Sequence, residues 1–358
     1  MSSKLTRADL SALPSYVPGR SPADLARELG IPAAIKLASN EVPFGPLPGV
    51  SEAVAAAVAE THRYPDMGAV ALREAIAARH DLSAERVVTG CGSVHLLELL
   101  VKAVCLPGDE VVYSWRSFEA YPIITAGAAV HAVRVPNTAS HEHDLPAMLA
   151  AITPSTKLVF VCSPNNPTGT AVRREELTAF LSAVPETTLV ALDEAYREFV
   201  TDPDVPNGLV EFGDRPNVVV FRTFSKAWGM AGIRCGWLAG QPEVADAVRK
   251  VLTPFSTNGL AQAAALAALG AADEMHRRVE LVVSERNRLL PLLRALVPDV
   301  PESQANFHWL PVADPMAFGA GCEKQGVIVR PFPEGVRVTI GTPEENDAFL
   351  AAAETVLG

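Results

Sequence analysis

The chain has 358 residues, of which 49% are hydrophobic and 20% charged, and its formal net charge is −11. This length suffices for a large buried core and for two domains. The acidic balance argues against nucleic acid and anionic membranes as partners, although a small anionic substrate could still bind at local arginines. The five cysteines include no C-x-x-C pair, which is typical of reduced thiols in the cytoplasm.

The sequence contains no segment typical of membrane insertion or secretion. No apolar run reaches the roughly 18 residues that a membrane-spanning helix needs. The first seven residues are not followed by the apolar stretch of a secretory signal. We therefore expect no membrane partner and a cytoplasmic location.

The first 35 residues are rich in proline and irregular, apart from a short helical stretch at 22–30. We predict that they form an arm lying over another part of the protein. Helical patterns follow at 50–60 and 70–80. Short apolar strands then alternate with helices, and these strands are predicted at 86–90, 110–113, 157–162, 188–192, 218–221 and 235–239. This alternation predicts an α/β fold with a mainly parallel sheet, in which the loops after the strands carry the chemistry.

The pattern changes after residue 240. Three helices are predicted at 243–251, 260–269 and 273–296, followed by strands at 307–310, 327–330 and 335–340 and a last helix at 343–357. This succession indicates a second, smaller α+β domain. We therefore divide the chain into an N-terminal arm (1–35), a large domain (36–245) and a small C-terminal domain (246–358).

Lys226 lies just past the strand predicted at 218–221. The hydroxyls of Thr223 and Ser225 precede it, and Arg234 follows among small residues. Hydroxyls and a guanidinium around one lysine suit a phosphate, and the lysine suits a Schiff base with a carbonyl cofactor. The alternative is an ordinary solvated lysine, which its tryptophan, methionine and isoleucine neighbours disfavour.

A second phosphate-binding candidate is the turn between the strand at 86–90 and the helix that follows it. Gly92, Ser93 and Val94 form this turn, and exposed amides at a helix N-terminus attract phosphate. Such turns occur in many α/β proteins, so this signal is weak alone. Together with Ser225 and Arg234 it would complete a phosphate cup.

Residues 223–232 resemble the pyridoxal-phosphate lysine motif of class II aminotransferases. The order is threonine, an apolar residue, serine, lysine, a small residue, an aromatic residue and glycine, with a further glycine three positions later. Four more family motifs lie upstream in the right order, and the resemblance covers nearly the whole chain. It is closest to the histidinol-phosphate and aromatic amino acid aminotransferases. It implies pyridoxal 5'-phosphate as cofactor and the type I transferase fold, with a mainly parallel seven-stranded sheet, helices on both faces and a smaller α+β domain.

The resemblance also implies how residues upstream hold the cofactor. Asn166, in an Asn-Pro-Thr-Gly turn, would donate to the phenolic oxygen of the cofactor, and Tyr196 would share this oxygen. Asp193 would pair with the pyridine nitrogen, where an ionised carboxylate favours the protonated ring that withdraws electrons from a carbanion. Residue type alone leaves open that Asp193 caps a helix.

Two aromatic residues receive roles in the same way. Phe118 would stack on the cofactor ring, although residue type fits a core phenylalanine equally well. Tyr64 would reach the cofactor phosphate of a neighbouring subunit, which implies a homodimer. Otherwise Tyr64 is an ordinary aromatic residue in a turn.

The substrate side is predicted from arginines on the late strands. Arg337 lies in an alternating apolar strand, and its guanidinium fits a substrate α-carboxylate. Arg330 is a second candidate anion contact, or else a surface cation. Asn40 and Tyr16 match positions near the substrate in the family, and Tyr121 is a candidate for the substrate side.

Residues 141–144 read His-Glu-His-Asp, which invites a metal interpretation. They lie in a polar loop with no third ligand at a suitable spacing. We therefore predict no metal site.

The resemblance implies a transamination in which Lys226 is first general base and then general acid. Residues 115–119 and 92–94 resemble the aromatic branch, which predicts transfer of the amino group of phenylalanine, tyrosine or tryptophan to 2-oxoglutarate. Histidinol-phosphate aminotransferase is the alternative, and a phosphothreonine decarboxylase of the same family is a third. A non-enzymatic protein that binds pyridoxal phosphate would need neither Asp193 nor Arg337.

Overall fold

The computed structural model describes residues 5, 7, 13 and 20–358. Its strands, in chain order, are β1 (Ile35–Lys36), β2 (Val87–Gly90), β3 (Glu110–Trp115), β4 (His131–Pro136), β5 (Thr156–Cys162), β6 (Leu189–Asp193), β7 (Val218–Thr223), β8 (Gly236–Ala239), β9 (Phe307–Leu310), β10 (Val327–Ile328), β11 (Arg330–Phe332) and β12 (Gly335–Thr339). Its α-helices are α1 (Pro22–Leu29), α2 (Val50–Val58), α3 (Val70–Arg79), α4 (Ser93–Val104), α5 (Ala120–Gly127), α6 (Leu145–Ala150), α7 (Arg174–Ala183), α8 (Gly208–Phe212), α9 (Pro242–Val251), α10 (Gly259–Gly270), α11 (Ala272–Leu296), α12 (Pro315–Lys324) and α13 (Pro343–Leu357).

The central sheet has seven strands in the order β2-β8-β7-β6-β5-β3-β4. Only β8 runs antiparallel to its neighbours β2 and β7, so the sheet is mainly parallel, and the predicted fold class is confirmed. Strand β7 shows why both faces need helices. Val218 and Val220 point into one apolar core, while Val219 and Phe221 point into another on the opposite face.

Strand β4 and helix α5 are among the elements of this sheet region that were not predicted individually. Strand β4 lies at the edge of the sheet, and its His131 and Arg134 are not buried. It therefore lacks the continuous apolar run by which the central strands were recognised. Helix α5 carries a proline in its first turn and no charged residue, so its sequence has no polar face to give it a helical period.

The C-terminal part contains a three-stranded antiparallel sheet in the order β11-β12-β9, which packs with α11, α12 and α13. The single strand predicted at 327–330 is wrong, because the chain divides there. Strand β10 pairs in parallel with β1, whereas β11 pairs with β12. The chain from Arg20 to β1 therefore packs on this part of the protein, and Arg20 also forms an ion pair with Glu323 at 3.0 Å.

The proposed domain division at 245/246 stays a prediction. Helix α10, which follows that boundary, packs against α2 and α3 of the preceding part. One apolar core also runs from strands of the large sheet into the small one, through residues such as Val220, Ala264 and Val338. The two parts thus share a continuous packed interface.

A buried ion pair fixes the segment that follows β6. The carboxylate of Glu194 accepts from Arg222 Nε at 2.8 Å, and the two side chains are only 5% and 6% exposed. Its other oxygen accepts from the Gly208 amide at 2.7 Å. Arg222 also donates to Asn207 at 3.0 Å. Breaking a buried pair from one side leaves an uncompensated charge, which costs far more than the loss of an exposed pair.

We expect Glu194→Gln to lower the apparent free energy of unfolding by about 3–5 kcal/mol, because it removes the charge of the carboxylate that the buried Arg222 guanidinium contacts directly. The matched control is Glu98→Gln, since Glu98 pairs with Lys102 at 2.6 Å but both side chains are 43–49% exposed. This control should cost less than about 0.5 kcal/mol. Urea unfolding followed by circular dichroism measures both, and equal losses in the two variants would contradict the assignment.

Candidate active site

A cavity of about 210 Å³ opens at the carboxyl ends of β5, β6 and β7, between the large sheet and the small one. Parallel strands bring their carboxyl ends to one edge, so residues far apart in sequence meet there. Most of the predicted site residues line this cavity, namely Asn40, Ser93, Val94, Phe118, Asn166, Asp193, Tyr196, Thr223, Ser225, Lys226, Arg234 and Arg337.

One end of the cavity is built to receive an anion. Helix α4 begins at Ser93, directly after Gly92, whose φ of 79° lies in the left-handed region. Arg234 donates to Ser225 Oγ at 3.3 Å. A Cβ atom at Gly92 would lie 2.4 Å from Arg234 Nη2, so only glycine allows the guanidinium this close to the start of the helix. Amides, a hydroxyl and a guanidinium therefore converge, as a phosphate requires.

Asp193 provides the second feature, at the end of β6. One carboxylate oxygen accepts from the Tyr121 hydroxyl at 2.9 Å, while Oδ1 is buried and has no hydrogen-bond partner among the described residues. Burial raises the pKa of the Asp193 carboxyl to about 6, and the Tyr121 hydrogen bond opposes this rise. The free oxygen is thus available for a cationic N–H group in the cavity.

Tyr121 was predicted to lie on the substrate side, and the structure corrects this. Its side chain is fully buried in the core beneath the cavity and stacks on Phe160, with 4.6 Å between the ring centroids. The reason is that residue 121 lies in the first turn of α5, whose inner face packs on the sheet. Tyr121 therefore lies on the core side of Asp193 and donates a hydrogen bond to its carboxylate.

Lys226 is half-buried, and its Nζ donates to the Ser39 carbonyl oxygen at 3.2 Å. Burial, reinforced by the positive charge of Arg337, lowers the pKa of the Lys226 amine from 10.5 to about 7. A substantial fraction of this amine is therefore unprotonated at neutral pH. An unprotonated amine can act as a nucleophile toward a carbonyl and as a base.

The opposite wall of the cavity carries the predicted substrate contacts. Arg337, on β12, donates to Asn166 Oδ1 and to the Ala38 carbonyl oxygen. Asn40 donates to the Tyr196 hydroxyl at 2.9 Å, and its backbone amide donates to Thr339 Oγ1, also at 2.9 Å. The segment before α2 and the small sheet are thus joined directly at the cavity.

Two more of the predicted residues lie outside this cavity. Arg330 does not line the cavity but forms an ion pair with Glu119 at 2.9 Å. Tyr64 is 82% exposed and stacks on Phe255 outside the cavity, with 4.5 Å between the ring centroids. Tyr16 falls outside the described residues. Glu119, which does line the cavity, was missed, although its position directly after Phe118 was the available signal.

None of the helices in the described part of the chain combines the length and apolar character needed to cross a membrane.

The family described as aminotransferase class I and II matches residues 32–352. The chain belongs to this family. A protein of Thermobifida fusca named aromatic amino acid aminotransferase is 53% identical over 352 residues, which cover 98% of this chain and 96% of the relative. One of Streptomyces avermitilis with the same name is 51% identical, covering 97% and 96%. The crystal structure of histidinol-phosphate aminotransferase from Sinorhizobium meliloti in complex with pyridoxal 5'-phosphate is 30% identical, with a TM-score of 0.85, and the match covers 97% of this chain and 99% of that one.

The family assignment confirms the resemblance found in the lysine motif and the prediction of an aminotransferase enzyme. It therefore excludes the non-enzymatic binding protein considered from sequence. The roles assigned to individual residues of this aminotransferase remain predictions, which its geometry makes testable.

The low pKa of Lys226 predicts a pH-dependent cost to stability. Between pH 7 and 10.5 the unfolded chain keeps a proton on Lys226 that the folded protein releases, so the stability of the wild type rises with pH in this window. Lys226→Met removes this effect. We expect the cofactor-free variant to gain stability over the wild type as the pH falls from 10 to 7, by at most about 1.4 kcal/mol per pH unit.

Urea unfolding at a series of pH values measures this difference. Lys102→Met is the control for the loss of a lysine side chain as such, because Lys102 is about half exposed in the folded protein. A constant offset between Lys226→Met and the wild type across the whole range would show that Lys226 keeps an ordinary affinity for protons.

Proposed function

We propose that this aminotransferase uses pyridoxal phosphate to transfer the amino group of an aromatic amino acid to 2-oxoglutarate. The observation that carries the proposal is that three features meet at one cavity. They are Lys226 with its lowered pKa, the buried Asp193 Oδ1 without a partner among the described residues, and the anion-binding end formed by Ser93, Ser225 and Arg234. The names of the relatives at 51–53% identity support the aromatic donor.

The residues present fit pyridoxal phosphate. Ser93, Ser225 and Arg234 would hold its phosphate, and Asp193 Oδ1 would accept a hydrogen bond from its pyridine nitrogen. Asn166 and Tyr196 would lie at its phenolic oxygen and Phe118 against its ring. When bound, the cofactor supplies an aldehyde for amines and a ring that withdraws electrons from the substrate α-carbon.

Lys226 would move the proton of the reaction. Its Nζ, unprotonated in part at neutral pH, can accept the proton from the α-carbon of the amino donor and later return it, as general base and then general acid. The contact with the Ser39 carbonyl keeps Nζ directed into the cavity. Asp193 would remain ionised beside a cationic ring nitrogen, because an adjacent positive charge lowers the pKa of a carboxyl.

Arg337 would orient both substrates. A guanidinium buried at the cavity wall can bind the α-carboxylate of the donor and that of the oxo acid in a bidentate manner. Its hydrogen bond to Asn166 links this carboxylate site to the predicted cofactor oxygen site. Holding the α-carbon in one place relative to Lys226 is the main contribution that such a clamp makes to rate.

We further propose that the enzyme is a cytoplasmic homodimer. Tyr64 and Phe255 form an aromatic pair that is partly exposed on the protomer, and Met67 near it is 58% exposed. Apolar side chains grouped at a surface are typical of protein–protein contacts. The five cysteines are free thiols, four of them buried, which supports a reducing compartment.

Reduction of the loaded enzyme with borohydride should fix the cofactor covalently on Lys226, since reduction traps a lysine–carbonyl linkage. Mass spectrometry of the digested protein should find the added mass on the peptide that contains residue 226. Lys226→Ala should retain cofactor through the other contacts, lose this label and lose at least about a thousandfold in kcat. A label on another lysine, or full activity in the variant, would refute the assignment.

The choice of donor is tested by comparing kcat/KM for phenylalanine and for histidinol phosphate, each with 2-oxoglutarate. We expect phenylalanine to be preferred by at least about tenfold, the effect of 1.4 kcal/mol in transition-state binding. The reverse ratio would favour the histidinol-phosphate alternative.

A further inference from the structure

We propose that Glu119 is a specificity-determining residue of this aminotransferase. By pairing with Arg330 it reduces, without abolishing, the positive charge that attracts the distal carboxylate of the acceptor 2-oxoglutarate, so that the same site also accepts substrates with an uncharged aromatic side chain. This inference rests on the proposed function, because it concerns how that same site tells its substrates apart.

The small sheet brings two arginines together. Arg330 on β11 and Arg337 on β12 are direct partners in the antiparallel register. Residues directly opposite each other in such a pair project from the same face of the sheet, with Cβ atoms about 5 Å apart. Both guanidiniums also lie over the ring of Phe332, at 5.4 and 5.6 Å from its centroid. A ligand held at Arg337 by one carboxylate would therefore have a second cation close by.

The contacts that the structure describes for the two arginines include partners of different charge. Arg337 donates to neutral oxygens, those of Asn166 and Ala38. Arg330 donates to the carboxylate of Glu119 at 2.9 Å. The side chain of Arg330 is 14% exposed and that of Glu119 is 29% exposed, so solvent screens this pair only in part.

Glu119 also lines the cavity in which the ligand would bind, together with Phe118, Lys226 and Arg337. A distal carboxylate or phosphate entering beside Arg330 would have to compete with Glu119 for the guanidinium and would meet a like charge. An aromatic side chain meets neither penalty. A carboxylate so placed disfavours one class of ligand without adding affinity for the other, which is how specificity is often achieved.

A second ion pair between the same two segments provides a matched control. Arg116 binds Glu334 through both guanidinium branches, at 2.9 and 2.8 Å. This pair also joins the loop after β3 to the β11–β12 hairpin, with the charges reversed, but neither residue lines the cavity. Removing the charge of Glu334 therefore loosens the same junction and leaves the charge at the cavity unchanged.

The test measures dissociation constants of two unreactive ligands by calorimetry on the cofactor-loaded enzyme. Glutarate carries a distal carboxylate, and 3-phenylpropionate carries a phenyl ring in its place. We expect Glu119→Gln to bind glutarate about three- to fivefold more tightly than the wild type, the range for a partly exposed charge interaction. Its affinity for 3-phenylpropionate should change by less than about twofold.

Glu334→Gln should leave the ratio of the two dissociation constants at its wild-type value. The double variant Glu119→Gln/Arg330→Gln should lose the gain for glutarate, because the cation that produces it is gone. An unchanged ratio in Glu119→Gln would overturn the proposal, as would an equal shift in Glu334→Gln. If Glu119→Gln does not fold, Glu119→Ser serves for the same comparison with the same outcomes.

Phenylalanine turnover by the wild type distinguishes a failure of the proposed function from a failure of the role proposed for Glu119. If the wild type does not transaminate phenylalanine, the proposed function fails, whatever the binding ratio shows. If it does so and the ratio still does not respond to Glu119, the role of Glu119 alone is refuted.

Discussion

The site depends on the burial of one carboxylate. Asp193 ends a strand that has parallel partners on both sides, and this places it where water cannot solvate it. Burying an ionised group is costly unless a counter-charge or hydrogen bonds compensate it. The Tyr121 hydroxyl compensates one oxygen, whereas the other is buried without a hydrogen-bond partner among the described residues, and Asp193 lines the cavity. A cationic ring nitrogen would therefore supply the hydrogen-bond donor that this second oxygen lacks among the described residues.

The pKa of Lys226 is shifted in the direction opposite to that of Asp193. Its amine is also pushed toward the neutral form, so the cavity holds an acid with a raised pKa and a base with a lowered one. Desolvation dominates both shifts. Groups displaced in opposite directions within one cavity are typical of catalytic sites, because each then titrates near neutral pH. Burial of these two ionisable groups lowers the free energy of unfolding, and the packing of the surrounding residues must offset this loss.

The sequence predicted the parts of the site whose signal is local. The motif around Lys226 lies in consecutive residues. Asp193 ends the apolar strand β6, and Asn166 lies in the turn that begins directly after β5, so both positions could be deduced from the end of a strand. The central strands were found for the same reason, since a buried parallel strand is one apolar run. Edge strand β4, with its exposed polar residues, has no such run.

What the sequence could not give was side-chain direction and pairing over long distances. Tyr121 lies three residues after Phe118, yet one points into the core and the other lines the cavity, because α5 begins between them. The pairing of β10 with β1 joins residues 292 positions apart by register, Ile35 with Val327. The contact of Glu119 with Arg330 spans 211 positions. Local patterns carry no information on such pairings.

These distant pairings explain why the small sheet belongs to the active site. Asn40 contacts Thr339 and Tyr196, and Arg337 contacts Ala38 and Asn166, so one hydrogen-bonded network joins the N-terminal segment, the large sheet and the small sheet. Buried networks of this kind are costly when incomplete, which favours a single relative position of the two sheets. The position of Arg337, which we propose to bind the substrate carboxylate, is therefore set by the packing of the whole chain. The neighbouring Arg330 pairs with Glu119, and we propose that this pair adjusts the charge beside that position.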